Sequence, residues 1–140
     1  MIDGLVFPDV RGCMSDLIDG TTHGGNPVRA VWYLPADTYG QLVGPFPIVL
    51  IYSTDGTEGW VDRVDRVTLE CYAPGTQAVE TLESIKAHIS GTDIETASGC
   101  LHSITPDQVP KDVPYQSDTL NKAAATFLVT SRPLLTPSGD

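Results

Sequence analysis

The chain has 140 residues, 41% of them hydrophobic and 19% charged, which suits one globular domain with a single core and excludes both wholesale disorder and two substantial cores. Eighteen acidic residues against eight basic ones leave a formal net charge of -10, and so few, scattered cations cannot form the basic face that displaces counterions from nucleic acid. The longest clean apolar run, residues 46–52, is far below the roughly 20 residues of a membrane-spanning helix, and the N-terminus lacks the basic-then-apolar layout of a signal peptide.

Phe7-Pro8-Asp9 opens a pattern with Val10, Cys13, Met14, Leu17 and Ile18 on one helical face, stopped by Gly20. Pro8 fits a first helical turn, where its missing N–H costs nothing, whereas Gly12 inside the helix costs about 1 kcal/mol relative to Ala and makes the element depend on packing. Residues 21–27, rich in Gly and Pro and carrying His23, read as a loop. Val28-Arg29-Ala30-Val31-Trp32-Tyr33-Leu34 reads as a strand stopped by Pro35, and residues 36–45 as a polar connection.

Pro47-Ile48-Val49-Leu50-Ile51-Tyr52 is apolar at consecutive positions, the signature of a strand covered on both faces. Residues 53–59 read as a turn built on Asp55-Gly56. Within residues 60–72, Val67, Leu69 and Cys71 alternate with Arg66, Thr68 and Glu70, core against solvent. The first half departs from that phase, because Val64 falls on the polar side and Arg63 and Asp65 on the apolar one, which predicts a bulge or an overhang beyond the core.

Ala78, Leu82, Ile85 and Ile89 then keep helical spacing across residues 76–90, and Gly91 ends the run. A fourth strand is predicted over residues 96–104. Residues 105–117, with Pro106, Pro110 and Pro114, read as a long loop. Ala123, Ala125, Phe127 and Val129 alternate with Lys122, Thr126, Thr130 and Arg132, a fifth strand. The order α-β-β-β-α-β-β is that of an α+β domain, a mixed or antiparallel sheet of about five strands with two helices packed on it, over residues 5–133, followed by a flexible tail, residues 134–140.

Chemistry leaves little trace. No phosphate-cradling glycine loop, H-E-x-x-H or G-x-S-x-G occurs. Cys13, Cys71 and Cys100 lack metal or disulfide spacing, Cys13 and Cys71 read as core residues, and a reducing compartment fits them. His23, His88 and His102 fall in a loop, on a helix and in a strand, and read as surface side chains with no metal to hold. Neither a catalytic residue nor a cofactor site is expected. The remote alternative is a small enzyme using Cys71 or Cys100 with a histidine and an aspartate, and another is a free-standing binding module, for which an aromatic-poor surface offers no obvious pocket. Asp62-Arg63 and Asp65-Arg66 repeat an acid-base dipeptide suited to ion pairs with a neighbouring strand or subunit.

A short N-terminal helix, the Phe46-Pro47-Ile48-Val49-Leu50-Ile51-Tyr52 strand, the Asp65-to-Ala73 strand with its Ala/Glu-bearing helix, the proline-rich stretch ending in Val113-Pro114-Tyr115 and the closing Ala-Thr-Phe-Leu-Val-Thr-Ser-Arg-Pro strand resemble the tail terminator proteins of long-tailed bacteriophages, particularly those of actinobacteria. The resemblance implies a structural virion protein, assembled in the host cytoplasm, that forms a six-membered ring on the head-proximal end of the tail tube. Such a ring ends tube polymerisation at the length set by the tape measure protein and joins the tube to the neck. The partners implied are further copies of the chain, the major tail tube protein and the head-tail connector, with DNA passing through the bore without specific binding. The alternative within this setting is another neck protein, one that completes the head or joins it to the tail. A ring closes through heterologous contacts, so the candidate interface comprises Trp60, Asp62, Arg63, Asp65 and Arg66, the 107–116 stretch with Pro110, Pro114 and Tyr115, and the outward Lys122 and Arg132. Charge reversal at Arg63 and Arg66 is then expected to block assembly while the monomer stays folded.

Overall fold

A computed structural model of the chain describes residues 7–39, 42–58, 62–117 and 119–132. Trp60 and the expected tail, residues 134–140, lie outside the described residues. Helix α1, Val10–Ile18, starts after Asp9, so Pro8 precedes the helix instead of occupying its first turn. The predicted loop at 21–27 is instead a miniature antiparallel hairpin of β1, Thr22–His23, and β2, Asn26–Pro27, closed by Gly24 and Gly25 at positive φ. A three-residue strand β3, Arg29–Val31, then runs parallel to β4, Ile48–Glu58.

Strand β4 continues through the predicted turn. Asp55 and Gly56 stand in its ladder opposite Arg66 and Asp65 of β5, Arg63–Ala73, just past a bulge between Ser53 and Asp55. Gly56 serves close backbone approach here, since a Cβ would come within 2.8 Å of the Val64 carbonyl and 2.9 Å of an Asp65 carboxylate oxygen. Strand β5 itself carries no bulge: it pairs residue for residue with Asn121–Ser131 along its whole length, and Asp65 keeps the core phase and is buried, so the break in its hydrophobic pattern is a buried carboxylate and not a change of phase.

Helix α2, Gln77–Ile89, buries Ala78, Leu82, Ile85 and Ile89 as its spacing requires. The chain then forms a hairpin and not a single strand: β6, Gly91–Thr96, pairs with β7, Gly99–Val113. Strand β7 runs on through the stretch read as a proline-rich loop. Its pairing with β6 ends at Ile104, so Pro106 and Pro110 fall where one side of the strand is an edge and a missing N–H costs no ladder bond. Bulges around Pro106, Gln108 and Lys111 keep the other side paired to β8, Asn121–Ser131.

The sheet thus has six strands in the order β3-β4-β5-β8-β7-β6, one more than expected and antiparallel except for the β3 pair. The fold is α+β. Both helices cover one face, where Cys13, Met14 and Ile18 of α1 and Leu82 and Ile85 of α2 meet Val49, Ile51, Val67, Leu69, Cys71, Ala125 and Phe127. Those apolar side chains recur at every second strand position, so burying one face against two amphipathic helices accounts for the two-layer arrangement. Tyr52, Arg66, Glu70, Lys122 and Thr126 point to the opposite, helix-free face. Leu50 joins them there, half-buried, and Ile48 on the same side is fully buried, so β4 is covered on both sides at its Ile48 end and only partly at Leu50 and Tyr52. Among the described residues no helix is long and apolar enough to cross a membrane.

Candidate assembly surface

The charges expected at an interface are largely engaged within the chain. Arg66 on β5 binds Asp55 of β4 at 3.0 Å and reaches past Leu128 of β8 to Asp107 of β7. Arg63 holds Asp65 at 3.3 Å, and Arg132 lies 3.7 Å from Asp62. Asp65 is buried at 5% exposure, on the helix-side phase. Pro110 is buried and Pro114 exposed.

Lys122 is not an outward solvent-facing residue. Its ammonium is 3.3 Å from Glu70, whose carboxylate also accepts the Tyr52 hydroxyl at 2.8 Å and the Tyr72 hydroxyl at 3.0 Å. Burial first, then the bond to Glu70 and its negative charge, push Tyr52 up to about 12; burial and the Glu70 charge also raise Tyr72. Tyr115 closes edge-to-face on Tyr72 at 5.2 Å, so the segment after β7 folds back over this end of the helix-free face. The cluster holds the strands in register and binds the chain to itself.

A second surface carries no such internal pairing. The exposed large hydrophobic side chains of the described residues are Trp32, Tyr33, Tyr39, Val43 and Val109, with Tyr33 83% and Tyr39 88% exposed. All but Val109 lie in the connection between β3 and β4, at one lateral edge of the sheet. This corrects the expectation of an aromatic-poor surface. The flank is held in place by short-range chemistry. Arg11 donates from Nε to the Ile51 carbonyl and from Nη2 to the Trp32 carbonyl, each at 2.7 Å, and its guanidinium lies 4.7 Å over the Trp32 ring. Asp37 accepts the Tyr39 N–H at 2.8 Å, and the Val43 N–H returns to the Pro35 carbonyl at 3.1 Å.

Charge is segregated in the same way. Between residues 20 and 54 only Arg29 and Asp37 are charged, so the rest of the chain carries the whole net charge of -10. That gap is legible in the sequence and is the signal that would have found the flank. The main-chain edge beneath it is closed: the Ala30 N–H is bound by the Asp19 carboxylate at 3.0 Å, and Gly20 and Thr21 bond to either side of Val28. The flank therefore offers side chains for contact, not a strand to be extended.

The remaining chemistry-bearing groups are built into the core. Burial raises Cys13 and pushes the Cys71 thiol up to about 12, so Cys71 keeps its proton at neutral pH; Cys100 is exposed. His23 is buried, not a surface histidine. The Thr21 hydroxyl donates to the Ile18 carbonyl at 2.6 Å, so it accepts from His23 Nε2 at 2.8 Å, which leaves Nδ1 to accept from Ser84 at 2.7 Å. Burial, and then the neighbouring His88, lower its pKa. Asp93, Glu95, Cys100, Leu101, His102 and Arg132 line a hollow beside the β6–β7 hairpin, and among the described residues no group of three or more His, Cys, Asp or Glu is placed to hold a metal ion. The chain matches no protein-family model and none of the curated proteins, so the reading of this surface rests on its own residues.

Proposed function

We propose that this chain is a ring-forming structural subunit of a phage virion that caps the head-proximal end of the tail tube and joins it to the neck. The observation that carries the reading is the preorganised aromatic, nearly uncharged flank on an otherwise acidic body. Tyr and Trp with a polar rim are the composition of protein contact surfaces, and a body of net charge -10 can approach a like-charged copy only where its own charge is low. The resemblance of the strand and helix wording to tail terminator proteins supports the virion setting. The acidic balance suits a bore that lets DNA slide, because repelled phosphates are not trapped. Trp60, Asp62, Arg63 and the exposed Pro114 stay in this proposal as candidates for the contacts to tube or neck.

Deleting only this gene from the phage and scoring particles by electron microscopy tests the reading. Tails of uncontrolled length with unjoined heads are the expected outcome. Unjoined tails of normal length would move the chain to a later neck-joining step, and intact infectious particles would overturn the virion reading.

A further inference from the structure

Register places two surfaces at the same level on opposite edges of the sheet. Pairing runs straight across from Val31 to Leu50, Glu70, Ala124 and Lys111, so Trp32 on one edge and Lys111 on the other are separated by four strand spacings, roughly 19 Å, with little offset along the strands. Beside Lys111 stands Val109, 49% exposed and the one exposed large hydrophobic of the described residues away from the flank. Lys111 is itself distinctive. Every other basic residue makes an ion pair or donates to a carbonyl: Arg11, Arg29, Arg63, Arg66, Lys86, Lys122 and Arg132 all have partners. Lys111 is exposed with no partner among the described residues, and strand alternation turns its neighbour Asp112 toward the other face.

We infer that the aromatic flank of one copy receives the Val109–Lys111 edge of the next, the Lys111 ammonium lying against the exposed rings of Tyr33 and Tyr39, since the Trp32 ring already carries the Arg11 guanidinium. This deepens the proposed ring and rests on that reading. The chemistry is complementary: a cation without an internal partner meets an aromatic surface with little charge of its own, and a lone exposed valine finds apolar cover. Main-chain addition is not the mechanism, because Pro106, Pro110 and the bulges blunt the β7 edge and Asp19 caps β3. The two surfaces are different, so the contact is heterologous. Their shared level favours rotation without translation along the strands, the condition under which such contacts close into a ring instead of growing as a filament.

The test uses the full chain in solution, with mass measured by analytical ultracentrifugation. The wild type should form a closed oligomer. Tyr33→Ser with Tyr39→Ser, and separately Val109→Asp with Lys111→Glu, should each weaken association at least about tenfold while leaving the unfolding of the monomer, compared with the wild type at dilutions where both are dissociated, unchanged, since all four positions are exposed. Each double variant keeps one intact surface, so mixing the two should restore a heterodimer that grows no further. Variants that assemble like the wild type, or a mixture that stays monomeric, would overturn the contact. A wild type still monomeric near about 1 mM, where a contact of only about 4 kcal/mol would show, would also overturn it. The tail-length phenotype does not depend on soluble assembly and judges the capping function separately.

Discussion

His23 shows how far a single residue's role depends on its surroundings. A histidine among glycines reads as exposed, but Thr21 beside it and Ser84 and His88 of α2 enclose it and satisfy it in its neutral form. Its folded pKa lies below the usual 6.5, so the unfolded chain takes up the proton first as pH falls. The stabilisation is complete above pH 6.5 and is lost as pH drops below that value toward the folded pKa. Urea unfolding followed from neutral to mildly acid pH should show a fall in stability that His23→Gln largely removes; an identical pH profile in that variant would show that His23 is not the group responsible. By contrast, the burial of Val67, Leu69 and Cys71 was legible from alternation alone, because one strand facing one core fixes their environment.

At the scale of elements, the long apolar or alternating segments were readable and the edge segments were not. Strand β6, Gly91–Thr96, has no buried residue, so it carries no hydrophobic period to detect. Strand β7 was obscured by prolines that only its position at an open edge makes harmless. The Asp55-Gly56 pair mimics a turn because glycine is required there for a different reason, the approach of the Val64 backbone. Arg66 likewise belongs to an arrangement no dipeptide pattern reveals, bridging carboxylates on β4 and β7. Reversing it with Arg66→Glu places three carboxylates together and should cost about 1 kcal/mol of stability, the modest figure suited to a partly exposed site. Arg63→Glu is no cleaner a probe of assembly, because it sets a carboxylate against the buried Asp65 that Arg63 pairs in the wild type. Equal urea midpoints for Arg66→Glu and the wild type would mean the bridge contributes nothing to the monomer.

For the whole molecule the governing fact is an acidic body with one nearly uncharged flank. If copies meet through that flank, burial of aromatic surface drives association while the net charge of -10 opposes it. Raising salt from about 0.05 M to about 0.5 M shortens the Debye length to a few Å, so association should tighten. Dissociation on adding salt, measured in the same ultracentrifugation experiment, would mean that ion pairs hold the copies together.

Length, composition and periodicity by themselves determined an α+β chain with one core, two amphipathic helices at Val10–Ile18 and Gln77–Ile89, and the strands at its centre, because each of those elements buries a face whose repeat is local in sequence. Only the tertiary structure decided the sixth strand, the enclosure of His23 and the pairing of most interface candidates within the chain. It alone set Trp32 level with Lys111 across the sheet. Edges, ion pairs and opposed surfaces are relations between distant segments, and strand register, which no single segment encodes, brings them together.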